Sequence, residues 1–228
     1  MTTAALIFMV LGLFRPAVSS NLATRGVHYL GPTLTSAFSS TTPIFAACFG
    51  VFLLGENLTP PIAAGTVAII AALVLLSYRG NVKTTWPLWA LVLPIGAALI
   101  RSGAHAGTKV GLEMLPSPFF AGLVTYSVSL AIALAAQRIR RVPMPRIVSE
   151  RGLLWFVGAG AMHAVAVLMM NTAFKTGQII VVVPIVSTYP FFTLGLSYLV
   201  FRRETLGRRT VLATLLVVAG VVFVALSR

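Results

Sequence analysis

The chain has no aspartate, and its 228 residues carry only four glutamates: Glu56, Glu113, Glu150 and Glu204. An intramembrane hydrolase pairs a nucleophile with an oriented base, and the acids for such a relay are missing. The near match Gly195-Leu196-Ser197-Tyr198-Leu199 fails the nucleophile-elbow pattern at its last position. Cysteine occurs once, as Cys48 inside an apolar run, which excludes an intrachain disulfide or a cysteine-built metal site. There is no phosphate-cradling G-x-x-x-x-G-K-[ST] loop and no H-E-x-x-H pair. Three scattered histidines do not assemble a metal-ligand pattern. The reading is of a protein that is not an enzyme, uses no cofactor and draws no direct ATP drive.

Charge is also scarce. Only 9% of residues are Asp, Glu, Lys or Arg, against about 25% in soluble domains. With 58% hydrophobic residues and mean hydropathy +0.97, the polar surface is too small to wet a globule, so most of the surface must face lipid. The net charge of +13 comes from basic residues in short loops between apolar runs. That placement orients a membrane protein and meets anionic headgroups; it does not build a nucleic-acid surface.

A spanning helix needs about 20 mostly apolar residues. Eight segments qualify, near 4–23, 33–54, 61–78, 87–106, 118–136, 153–174, 179–201 and 209–226. The first is expected to be a true helix in place of a cleaved leader: no basic residue precedes it, and Arg15-Pro16 stands where small residues should be. Pro16 and Pro94 are expected kinks. Gly103, Gly107 and Gly111 share one helix face and invite a close neighbour. Gly158, Gly160 and Ala164 offer a similar small face on the sixth segment.

The chain repeats itself. Glu56 and Glu204 differ by 204 − 56 = 148, and at that offset Leu58 falls on Leu206 and Thr66 on Thr214. With short gaps, Pro43 meets Pro190, and Asn21 through Gly26 meets Asn171 through Gly177. Segments one to three therefore match segments six to eight, while four and five have no upstream counterpart. A five-helix unit is odd-numbered, so a second copy enters the membrane in the opposite sense. Inverted repeats of this kind mark secondary transporters, with the solute held near the midplane.

The small-residue lead Ala23-x-x-Gly26, the Thr42-Pro43-Ile44 step and the Leu54-Gly55-Glu56 end resemble the EamA-type transporters of the drug/metabolite transporter superfamily. The second copy repeats them, with Arg203 in place of the glycine before Glu204. The resemblance implies an all-α polytopic membrane bundle built on an inverted repeat. Residues 1–80 are a partial first repeat of three helices, and 86–228 a complete second repeat of five. Typical members resemble ten helices around a central cavity, so the first two family helices are missing. Either Met1 is an internal methionine or the protein is short; the coding frame is expected to continue upstream for about 60–70 residues, enough for two spans.

Ionisable groups at membrane depth are functional candidates. Arg101, His105, Lys109 and Glu113 are spaced by four and form one stripe if their helix continues, with Gly103, Gly107 and Gly111 about 160° away. The stripe reads as a cationic wall for anionic metabolites or a proton relay, or else as a helix end emerging into headgroups. Arg15 lies halfway along the first segment. His163 is central in the sixth, as an interhelical hydrogen-bonder or a titrating group. Asn21 and Asn171 occupy matching positions as solute ligands or helix glue. Ser40 before Pro43, and Ser187 and Tyr189 before Pro190, stand where proline frees a carbonyl that a hydroxyl can satisfy or leave to a ligand. Glu56 and Glu204 read as structural carboxylates that meet basic loops or a helix dipole.

The expected function is a secondary transporter, a permease or exporter, moving a small metabolite by alternating access. The alternative is a truncated, non-transporting subunit that packs with a partner. Its partners are the metabolite, membrane lipid and a second copy or another subunit; its place is the cell (inner) membrane. Twelve basic loop residues lie on one side of the eight segments and three on the other. The positive-inside rule then puts both termini outside, whereas the resemblance implies cytoplasmic ends.

Overall fold

A computed structural model of the chain describes residues 2–15, 17–77, 87–139, 152–196, 199 and 208–226. The elements are helices: α1 (Thr2–Phe14), α2 (Ala17–Ser39), α3 (Thr42–Leu54), α4 (Pro60–Ser77), a 3-10 turn (Leu88–Leu91), α5 (Val92–Met114), α6 (Pro118–Ile139), α7 (Gly152–Thr176), α8 (Ile179–Val186), α9 (Tyr189–Leu196) and α10 (Arg208–Leu226). Five stretches are long and apolar enough to cross a membrane: Thr2–Gly31, Leu34–Leu54, Leu88–Met114, Pro118–Ile139 and Trp155–Thr176. Three shorter apolar helices, Pro60–Leu76, Ile179–Phe192 and Val211–Leu226, complete the eight expected segments.

Several boundaries differ from the sequence reading. The first stretch runs on to Gly31, where the backbone leaves helical geometry at φ 81° and ψ 167°. Only glycine adopts that conformation without strain. The fourth helix does not stop near 106 but continues to Met114, so Arg101, His105, Lys109 and Glu113 do lie on one continuous helix. The seventh segment is two short helices, α8 and α9, broken at Ser187-Thr188.

The chain divides into two compact units, which do not follow the repeat boundaries. One comprises residues 1–17 and 107–176; the other comprises 18–106 and 177–228.

In the first unit α1 packs on α6. A Cβ placed at Gly12 would come within 2.6 Å of the Thr125 carbonyl oxygen, so the backbones approach closely there. The Thr125 hydroxyl donates to the Phe8 carbonyl oxygen at 3.3 Å. Phe8, itself fully buried, meets Phe120 edge to face at 6.3 Å. Gly107 and Gly111 lie against Leu11 and Phe8, so the glycine face is a packing face here. In the sixth segment the small face behaves otherwise. Nothing lies within 4 Å of a Cβ at Gly158 or Gly160, and Trp155 and Phe156 beside them are exposed.

In the second unit the closest helix pair is α4 with α10. A Cβ at Gly65 would lie 2.5 Å from the Gly220 carbonyl oxygen, and one at Gly220 would lie 2.7 Å from that of Gly65. Gly65 also faces Val224, and Gly220 faces Ile69, so contacts climb α4 as they descend α10. The two helices are antiparallel. They are also counterparts in the repeat: at the offset of 148, Gly65 corresponds to Ala213 and Gly220 to Ala72. Ala72 and Ala213 are both fully buried and belong to one cluster with Val217. A contact and its repeat-exchanged contact thus occur together, as a two-fold relation between opposed helices requires. Beside them Ile62, Ile69, Leu73, Ile180, Val181 and Val224 form the main apolar core.

Candidate functional site

The second unit holds the two helix breaks that carry the proline motifs. At the first, Pro43 is buried just inside α3. Proline has no N–H, so the Ser39 carbonyl one turn upstream loses its helical donor. The Thr42 hydroxyl donates to that oxygen at 2.7 Å. The Ser40 hydroxyl donates to the Ser36 carbonyl oxygen at 2.9 Å, and that of Thr41 to Phe38 at 2.7 Å. At the second break, Ser187 donates to Val183 at 2.8 Å and Thr188 to Ile185 at 2.7 Å. Every donor and acceptor in these last two bonds is displaced by 147 from its equivalent (187 − 40, 188 − 41). The backbone repeats too: Thr41 N–H to Phe38 O at 3.2 Å matches Thr188 N–H to Ile185 O at 3.1 Å. Ser40 and Ser187 therefore spend their hydroxyls on local carbonyls. Tyr189 opens α9 and is exposed, with Pro190 following it.

Glu56 performs the structural role. Gly55 takes the left-handed conformation at φ 66° and ends α3. The Glu56 N–H closes the helix onto the Gly50 carbonyl oxygen at 2.9 Å. Its carboxylate, buried at 7% exposure, accepts the N–H of Ile179 at 2.8 Å and of Ile180 at 3.0 Å. Those are the first two residues of α8, whose N–H groups have no helical acceptor and whose dipole favours an anion. Gly50 leaves the room: a Cβ there would lie 2.8 Å from Glu56 Oε2 and 2.5 Å from the Ile180 side chain. Its repeat counterpart Glu204 lies outside the described residues.

Arg101 sits at the middle of the span Leu88–Met114, half-buried. The next residue, Ser102, is fully buried and donates to the Thr42 carbonyl oxygen at 2.8 Å. That bond sets the Arg101 turn of α5 beside the proline-broken start of α3. Gly103 continues the contact: a Cβ placed there would lie 3.6 Å from the Phe49 ring. His105, one turn further, is buried at 4% exposure and has a partner. Sequence reasoning missed Ser102 and Thr42 as a pair; nothing in the chain announces a bond across 60 residues.

In the first unit, Asn171 is buried and its amide donates to the Pro118 carbonyl oxygen at 3.2 Å, tying α7 to α6. Of its two expected roles, helix glue is the one this contact serves. His163 is exposed and shares a hydrogen bond of 3.0 Å between Nε2 and the Tyr126 hydroxyl, with the rings edge to face. The pair and Ser127 are the polar side chains lining a mostly apolar groove of about 480 Å³ between α6 and α7. Tyr126 was not anticipated, although it is the one tyrosine of its segment. Arg15 stands at the junction of α1 and α2, half-buried, with its N–H on the Leu11 carbonyl oxygen at 2.9 Å. Among the described residues no three His, Cys, Asp or Glu side chains converge to hold a metal ion.

The family model of the EamA-like transporter family matches residues 2–78 and 88–226. The chain belongs to that family. This EamA-like protein is thus a multi-pass membrane protein from a family of transporters. Among curated proteins none matches its sequence. Among solved structures, a protein crystal structure aligns with a TM-score of 0.78 at 18% identity, over 98% of this chain and 78% of that one. At that identity the likeness shows the fold of this EamA-like protein and nothing of its substrate.

Proposed function

We propose that the protein is a secondary transporter that moves a small metabolite across the cell membrane by alternating access. The observation that carries this reading is the antiparallel packing of the repeat counterparts α4 and α10. Homologous halves threaded in opposite senses can exchange conformations, which turns one outward-open state into its inward-open equivalent. The broken helices at Ser40–Pro43 and Ser187–Pro190 support it as well. Non-helical backbone at membrane depth is tolerated where it is buried in protein or lines an aqueous cavity. The division into a three-helix repeat at 1–80 and a five-helix repeat at 86–228 is part of the proposal. The two stretches matched by the family model, 2–78 and 88–226, support that division.

The test is flux. Purified protein in liposomes, loaded with a defined mixture of small metabolites, is expected to release at least one of them faster than protein-free liposomes. No release of any solute would count against transport. A second reading, a subunit that packs with a partner, is favoured by one observation: α7 leaves Gly158 and Gly160 open beside exposed Trp155, Phe156 and Met162. Under that reading, cysteine crosslinking from Gly158 in membranes captures a second chain, while liposomes show no flux.

A further inference from the structure

A guanidinium inside an apolar span calls for a polar partner, and among the described residues no acidic side chain pairs with Arg101. Arg101 is thirteen residues from either end of the span Leu88–Met114, which is roughly 20 Å of helix on each side. Among the described residues its side chain has no hydrogen bond, ion pair or ring contact. The acids of the chain are few enough to account for one by one. There is no aspartate. Both Glu56 oxygens receive backbone N–H groups at the start of α8. Glu113 lies twelve residues along the same helix, about 18 Å away, and is exposed. Glu150 and Glu204 lie outside the described residues, and their sequence positions fall outside every apolar run.

An arginine facing hydrocarbon at that depth is costly, and arginines in spans face bundle interiors or water-filled space instead. The bond from Ser102 to the Thr42 carbonyl anchors the same turn of α5 beside a helix break. We propose that Arg101 binds the negatively charged group of the transported solute, which makes the substrate a small organic anion bearing a carboxylate or a phosphate monoester. The planar fork of guanidinium donors matches both groups in a bidentate arrangement. This assignment rests on the transport reading above and narrows it to a substrate class.

Proteoliposomes of phosphatidylcholine, free of anionic lipid, are loaded with succinate, glycerol 3-phosphate, succinamide, glycerol and a small alkylamine. Release of each is followed by mass spectrometry. Wild-type protein is expected to release one or both anions selectively. Arg101→Ala is expected to lower that release by about ten- to a hundredfold, the effect of losing a charge-assisted hydrogen bond, with Arg101→Lys between the two. Release of only neutral or cationic solutes, or equal anion release from Arg101→Ala, overturns the anion assignment and leaves transport standing. No release from the wild type overturns transport, and this assignment with it. If Arg101→Ala fails to reconstitute, the decision passes to the wild type in detergent. Succinate or inorganic phosphate is expected to raise its melting temperature where succinamide at matched ionic strength does not. Equal melting temperatures in all three overturn the assignment.

Discussion

The Glu56 carboxylate accepts the N–H of Ile179 at 2.8 Å across 123 residues of chain. It joins the end of α3 to the start of α8, and it does so in a buried setting with a second bond to Ile180. A single side chain thereby supplies the acceptors that the first turn of a short helix cannot find for itself.

Removing that carboxylate should therefore be severe. Glu56→Ala leaves two buried donors without acceptors, each bond to a charged group being worth about 1.5–3 kcal/mol. Glu56→Gln keeps one amide oxygen and should lose less. The expected order of melting temperature in detergent is wild type, then Glu56→Gln, then Glu56→Ala. Equal melting temperatures for all three would mean that α8 does not depend on this contact.

The α4–α10 contact makes a sharper steric prediction. A methyl at Gly65 would lie 2.5 Å from the Gly220 carbonyl oxygen, and backbone cannot swing aside. Gly65→Ala and Gly220→Ala should each destabilise by about 1–3 kcal/mol through overpacking. Gly158→Ala, where nothing lies within 4 Å, is the control and should raise helix propensity at no steric cost. Abundance of folded protein in membranes, read by detergent-resistant fluorescence of a fused reporter, checks all three. The idea fails if Gly158→Ala is the more damaging change.

The two polar residues of α7 should part company under substitution. Asn171 is buried and holds the Pro118 carbonyl, so Asn171→Ala should cost about 1–2 kcal/mol of stability. His163 is exposed and bonded to Tyr126. Changing it to Phe should cost under about 1 kcal/mol, and the cycle with Tyr126→Phe should return a coupling near 0.5–1.5 kcal/mol. A coupling of zero would show that the Tyr126–His163 bond does not form in solution.

The repeated turn can be tested by equivalent substitutions. Thr41→Val and Thr188→Val each remove one hydroxyl donor from the matching carbonyls of Phe38 and Ile185. Both should lower stability by about 1 kcal/mol. Unequal losses, several-fold apart in a chemical-denaturation comparison, would mean that the two breaks are not functional equivalents despite their shared geometry.

Much of the fold was legible before any coordinates. Apolar run length reflects the thickness of a bilayer, so eight segments could be counted from composition alone; among the described residues five helical stretches are long enough to span and three shorter apolar helices accompany them. The proline breaks were legible as well, because a missing N–H at Pro43 must leave an upstream carbonyl to a neighbouring hydroxyl. Thr42 fills that role. Helix ends were less legible. Gly31 breaks α2 through a positive φ that glycine permits but does not compel. The glycine stripe at 103, 107 and 111 proved to be a packing face, while Gly158 and Gly160 did not. Spacing says where a partner would fit, and only the partner's presence makes a contact.

By itself the sequence determined that this chain is apolar enough to live in lipid, that its proline and glutamate motifs recur at an offset near 148, and that only four acids stand against 17 Lys and Arg. Composition and periodicity carry that information, because they answer to the solvent and to the helix pitch, which are the same everywhere along the chain. The tertiary structure alone decided that Glu56 serves Ile179, that Ser102 serves Thr42, and that α4 runs against α10. Those pairings join residues far apart in the chain. They depend on which faces meet once the helices have packed, and no local signal encodes that.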